Sequence, residues 1–311
     1  MALINPSDVT FTLVPEVTAG VLPTTGASRY EVPAKADQSL PSFAANEIAS
    51  NTKRPGRAGN GMRRGMVTGT GTLDMRLQFA PVYLALMESA LSGKFTTTGT
   101  KTLKAGLNDS TFSVLSLLQA GASGSALLEA ASGCMVNKMS ISVKAGDEAN
   151  ISFDLLSTVQ AQATTDSTLT VTAVPSTAYE FAGVEVSAVT VAGNTVIQFT
   201  ETNLEVTQDR VARGKLGTNT PIGIGTNGTR TVKLTMKAYR ESFAVDALLT
   251  GQAQAFSFTI GAAGNGYGVY IPAGFASIPT TEFDSESAFV NIEVTAAYDA
   301  TQATDLYITQ L

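Results

Sequence analysis

Thr72-Leu73-Asp74-Met75-Arg76-Leu77-Gln78-Phe79 alternates apolar and polar residues without a break. A period of two is that of a strand with one face buried. Leu73, Met75, Leu77 and Phe79 are therefore expected in a core, and Asp74, Arg76 and Gln78 on the opposite face. The period then changes. Residues 80–92 (APVYLALMESALS) place Tyr83, Leu86, Met87, Ala90 and Leu91 on one helical face. Pro81 suits a first helical turn, where its missing N–H costs little, and Gly93 follows as a natural stop. A strand running straight into a helix is the unit on which the fold turns.

Working outward, residues 138–144 (KMSISVK) and 150–155 (NISFDL) alternate in the same way and are separated by Ala145-Gly146-Asp147-Glu148, a plausible hairpin turn. The second half gives the same order again. Residues 231–238 (TVKLTMKA) follow a glycine-rich approach and lead into a second short helix over 241–250, stopped by Gly251. Leu248-Leu249-Thr250-Gly251 parallels Ala90-Leu91-Ser92-Gly93, and residues 289–294 (FVNIEV) parallel 150–155 in phase. Long polar excursions, 40–66 and 203–229, precede the two alternating strands. The expected architecture is α+β, mostly β, with two tandem β-sandwich domains each flanked by a helix. The first domain is expected over 1–162, with its loop at 40–66 and helix at 80–92. The second is expected over 163–311, with its loop at 203–229 and helix at 241–250.

Composition narrows the function classes. Charged residues make up 15% of the 311, against about 25% in ordinary domains. A surface so poor in charge points to burial against neighbours. The formal net charge of −6 argues against a nucleic-acid binder. There is no histidine, which removes Ser-His-Asp, Cys-His and HExxH chemistry together. The single cysteine, Cys134, cannot form an internal disulfide and reads as a small buried hydrophobe. No apolar stretch is long enough for a membrane-spanning helix, and Met1 to Thr12 lacks the pattern of a secretory leader. Neither a catalytic, a metal nor a cofactor site is expected, and a cytoplasmic origin is.

Motifs that could carry chemistry read as structure instead. Gly264-Asn265-Gly266-Tyr267-Gly268 lacks phosphate-loop spacing and opens no helix. Asp147 with Glu148, and Asp284 with Glu286, fall on turns where carboxylates are normally solvated. The segment 53–65 carries more information, since Lys53, Arg54, Arg57, Arg63 and Arg64 are five of the chain's 20 basic residues. No aromatic residue interleaves for base stacking. A glycine-rich basic arm on an acidic protein is suited to reach another copy of the chain.

The run from Ser42-Phe43-Ala44-Ala45-Asn46-Glu47-Ile48 through the basic arm to Gly69-Thr70-Gly71-Thr72-Leu73 and the helix ending at Gly93 resembles phage tail tube proteins. So does Gly133-Cys134-Met135-Val136-Asn137-Lys138-Met139-Ser140-Ile141-Ser142 with its hairpin partner. The resemblance implies a β-sandwich with a flanking helix whose strands join those of neighbouring subunits in a β-barrel around a channel. With a duplicated domain it implies stacked homotrimeric rings of pseudo-six-fold symmetry, the hexamer being the alternative. The basic arm would make the contact between rings. Asp74, Arg76, Gln78, Ser152, Asp154, Lys233, Asn291 and Glu293 would line a polar, net negative channel through which DNA passes without specific binding. By the same analogy the partners are tail-tip, tail-terminator and length-setting proteins, and the location is the virion tail after assembly in the host cytoplasm. The competing readings are an extracellular adhesive or surface-layer β-protein and a carboxylate-dependent hydrolase. The first lacks a secretory leader, and the second lacks tryptophan for a sugar platform.

Overall fold

A computed structural model of the chain describes residues 9–35, 38–50, 61–119, 126–163, 169–191, 193, 195, 197–241, 243–283 and 287–311. It is mostly β. The alternating stretches are strands, and their apolar residues meet in one core cluster that includes Leu73, Met75, Phe153, Met139, Leu234 and Ile292. Among the described residues the sheets do not close into a barrel.

The helix Pro81–Leu91 begins with proline in its first turn and buries Tyr83, Leu86, Met87, Ala90 and Leu91. Its stop differs from expectation. Ser92, not Gly93, takes the left-handed position, at φ 49° and ψ 42°. The short element Phe243–Thr250 is a 3₁₀ helix. Val245 and Leu248, both buried, are three residues apart, the spacing that eclipses on such a helix.

The long excursions are not irregular. Strand Ser42–Ala49 pairs antiparallel with the start of Met62–Arg76, so both described arms of the expected loop at 40–66 are paired strands. The expected loop at 203–229 is taken up by the strand Phe199–Thr207 and a small hairpin, Arg210–Arg213 with Gly223–Thr226. Backbone contact links the two excursions, because Val67 N–H donates to Asn219 O at 2.8 Å.

Strand pairing follows one order in both halves. In the first, Thr10–Pro15 pairs with Phe112–Gln119, then Ala126–Lys144, Asn150–Ser157, Met62–Arg76 and Ser42–Ala49. In the second, Val186–Val191 pairs with Gln254–Ala262, then Asn265–Ala276, Ala288–Ala296, Thr231–Tyr239 and Phe199–Thr207. Every one of these pairings is antiparallel. The halves are also stitched together, since residues 138–144 pair with 201–207 and Tyr307–Gln310 pairs with Thr102–Lys104. Segment 171–182 stays with first-half strands: Val171 pairs with Arg29, and Phe181 N–H donates to Leu77 O.

Cys134 is fully buried and its thiol donates to Ala131 O at 3.1 Å. Burial pushes the thiol well above its ordinary range, with the nearby Glu16 carboxylate adding to the effect. Since the thiolate is the reactive species, Cys134 is expected to resist a thiol reagent such as Ellman's in the native protein and to react fully in denaturant. Rapid native labelling would contradict this packing.

Candidate assembly surfaces

Eight antiparallel strands lie side by side in the main sheet, running from Ser42–Ala49 at one edge to Thr280–Phe283 at the other. One face is the core and carries the helix. The opposite face is polar, because strand residues alternate and cross-strand partners share a side. Register makes rows across both halves. One row runs Asp74, Ser152, Ser140, Glu205, Lys233 and Thr295. The next runs Arg76, Asn150, Ser142, Asn203, Thr235 and Glu293 in the same strand order.

Seven of the eight residues expected on a common polar face are brought together in this way. Asp154 sits opposite Thr72, whose hydroxyl donates to its carboxylate at 2.8 Å, and Asn291 sits opposite Lys237. Gln78 is the exception and corrects the expectation. The strand ends at Arg76, the phase slips, and Leu77 and Gln78 are both buried. Gln78 is held inside by its amide's bond to the Tyr83 hydroxyl and by Tyr267 Oη donating to its carbonyl at 3.2 Å.

The face carries charges of both signs. Asp74, Asp154, Glu201, Glu205, Glu282 and Glu293 lie among Arg76, Lys138, Lys144, Lys233 and Lys237. Several of these cations are engaged. Lys138 meets Glu205 at 2.8 Å, Arg76 pairs with Glu148 and with Glu180, and Lys237 lies 4.4 Å above the Phe289 ring. The bond to Glu205 also raises the Lys138 ammonium pKa above its usual range.

Of the basic arm, Lys53, Arg54 and Arg57 lie outside the described residues. Arg63 and Arg64 are on the exposed part of the strand Met62–Arg76, opposite Ile48 and Glu47. The hairpin is apolar as well as basic, with Ile48 and Met62 largely exposed. Fully exposed Leu216 lies in the connection of the smaller hairpin close by.

Sequence reasoning missed Arg210. Its side chain is 0% exposed and pairs with Asp109 at 2.6 Å. It also donates to Ser92 Oγ at 2.8 Å and to Val136 O, while its backbone N–H donates to the Asn137 side chain. Gln208 donates to Ala90 O. A second-half segment thus satisfies carbonyl and hydroxyl groups at the end of the first-half helix, where cations are favoured. Burial lowers the pKa of the Arg210 guanidinium, and Asp109 opposes that shift. No local pattern in the sequence signals this contact, whose partners are 101 residues apart.

A broad sheet with one face buried, the other polar and, among the described residues, an edge strand at each end paired on one side only suits a subunit continued by others, since open edges are otherwise a hazard. The chain belongs to the phage tail tube protein family, whose sequence pattern matches residues 6–300 of the 311. It is a structural protein of the virion tail. No curated protein sequence matches it.

Proposed function

We propose that the chain forms stacked rings of three copies, each copy supplying two similar units, and that these rings make the conduit for DNA during ejection. The observation that carries this reading is the polar face, whose rows run unbroken from the first half into the second, opposite the helix. Placed inward, Asp74, Arg76, Ser152, Asp154, Lys233, Asn291 and Glu293 line the channel. Eight strands per copy, spaced about 4.8 Å apart and tilted roughly 40°, would let three copies close at about 45 Å between backbones. That leaves room for a duplex.

Binding of DNA requires cations free to neutralise phosphates and release their counterions. On this face carboxylates are interspersed with the cations, and Lys138 and Arg76 already hold carboxylates, so passage without retention follows. Lys53, Arg54, Arg57, Arg63 and Arg64 act at the ring-to-ring contact. Assembly takes place in the host cytoplasm, with tail-tip, tail-terminator and length-setting proteins as partners by family analogy.

Negative-stain electron microscopy of the purified protein tests the proposal directly. Hollow tubes or stacked rings with three-fold symmetry are expected, and deletion of residues 53–64 is expected to leave rings that no longer stack. Dispersed monomers of both forms at high concentration would refute the reading, and six identical subunits per ring would refute the trimer.

A further inference from the structure

Three Asn-Gly steps occur in the chain, at 60–61, 227–228 and 265–266. At such a step the glycine backbone nitrogen can attack the asparagine side-chain amide, because no β-carbon blocks the approach. Asn60 lies outside the described residues. The other two steps differ in setting. Asn265 and Gly266 open the strand Asn265–Ala276, opposite Ala262 and Gly261, and Leu311 N–H donates to Gly266 O at 3.0 Å. The sheet holds that backbone extended, and closure of a ring would have to break its pairing. Asn227 and Gly228 follow the strand Gly223–Thr226 and belong to no strand. Asn227 is exposed and its N–H donates to Asp209 O at 2.9 Å, while among the described residues the Gly228 N–H has no hydrogen bond. Two charged side chains converge on this step. Arg213 donates to Asn227 Oδ1, and since arginine has only donors, the bond fixes which end of the amide is oxygen. Asp209 sits in the left-handed region at φ 49°. Its Oδ2 is 2.8 Å from where a β-carbon on Gly228 would stand, so only glycine leaves that carboxylate its place.

We propose that Asn227-Gly228 is a self-modifying site, at which Arg213 and Asp209 promote closure of a succinimide that water opens to aspartate or isoaspartate. The backbone nitrogen of Gly228 bonds to Asn227 Cγ, and its proton passes to the Asp209 carboxylate. Oδ1 gathers negative charge as the tetrahedral centre forms, and the Arg213 guanidinium already donates to that atom. The Cγ–Nδ2 bond then breaks, and ammonia leaves with the proton returned from Asp209. Water adds to either carbonyl of the ring. One opening gives aspartate, and the other routes the backbone through the side chain as isoaspartate. No oxidant or cofactor is consumed. The product carboxylate faces Arg213 where a neutral amide stood, so a hydrogen bond becomes an ion pair at the base of the small hairpin. The isoaspartyl product also lengthens the backbone by a methylene between Gly223–Thr226 and Thr231–Tyr239. The connection of the same hairpin carries Asn219, whose carbonyl accepts from Val67 N–H, so the change falls beside the contact between the two long excursions. This chemistry is independent of the ring reading above.

Peptide mapping by mass spectrometry tests this on the full-length protein, incubated at neutral and at mildly alkaline pH. Replacement of the side-chain amide by an acid is read as a mass change, hydroxylamine traps the succinimide, and an isoaspartate methyltransferase labels the rearranged product. A synthetic peptide spanning 222–232 serves as the chemical reference, since it carries the Asn-Gly step without Asp209 or Arg213. Asn227 in the native protein should convert about tenfold faster than in that peptide, the rate effect of one charge-assisted hydrogen bond. Asn265 should convert more slowly than Asn227. Arg213→Met and Asp209→Asn should each bring the native rate toward that of the peptide, and Arg213→Lys, which keeps a cation, should recover part of the loss. A native Asn227 that converts no faster than the peptide would overturn the inference without recourse to any variant. Either variant converting at the parent's rate would overturn the role given to that residue.

Discussion

Replacing Arg210 with methionine is expected to lower the stability of the chain by about 3 kcal/mol, the scale of breaking a buried, hydrogen-bonded charge pair. Methionine keeps much of the apolar stem but removes every donor. Val136 O and Ser92 Oγ lose their guanidinium partner in the interior, and Asp109 loses its cation. Asp109 is 43% exposed, so water recovers part of its solvation and the loss stays near the lower end for such pairs. The guanidinium Nε has no partner in the fold. Arg210→Lys would therefore not sacrifice that contact, but a single ammonium cannot span the three acceptors and should recover less than half of the loss. Chemical denaturation of the purified, unassembled protein measures both. A methionine variant within 0.5 kcal/mol of the parent, on the order of a neutral surface change, would show that the pair contributes nothing net. Because Arg210 ties the second half to the end of the first-half helix, its loss should also separate the unfolding of the halves.

Gly133→Ala should be comparably damaging for a different reason. Gly133 lies in the long strand Ala126–Lys144 with φ +63°, a conformation glycine adopts freely and alanine does not. A methyl there would stand 2.2 Å from Thr158 Oγ1, with the backbone of Gly20 at 3.3 Å. The backbone penalty alone is about 1–2 kcal/mol, and the collision adds to it. Gly133 cannot easily shift away, because its N–H donates to the Glu16 carboxylate at 2.8 Å while Ser113 and Gly20 hold the same carboxylate. A total of about 3 kcal/mol is expected, or roughly 5 °C in calorimetric midpoint for a chain this long. Adding Thr158→Ala removes the colliding oxygen but not the backbone penalty, so the double variant should recover about half. Full recovery would mean that the left-handed backbone costs nothing at this site.

Elements with one buried face were legible in the sequence. The strand through Leu73 and Met75, the helix with Tyr83 and Leu86, and the hairpin turning at Gly146 all carry the period their packing requires. Ser42–Ala49 was not legible, because most of its residues are exposed on both faces and no alternation is imposed. The same holds for Arg210–Arg213 with Gly223–Thr226, so both hairpins read as polar loops. Gln78 was misplaced because periodicity does not show where a strand ends, and here the strand stops two residues earlier. The polar face was legible residue by residue. The full set of its charges was not, since the contributions of Lys138, Lys144, Glu201 and Glu205 depend on a pairing between halves more than fifty residues apart.

Placing two units in one chain changes the thermodynamics of building any larger sheet from it. Each association of separate bodies forfeits translational and rotational freedom, a cost on the order of 4–15 kcal/mol. The pairing of 138–144 with 201–207 is made when the chain folds, and so incurs no such loss during assembly. In a sheet continued from copy to copy, every second seam is therefore unimolecular and independent of protein concentration. Dilution can open only the seams between chains, and a frayed end will always expose the edges of whole chains, never a half.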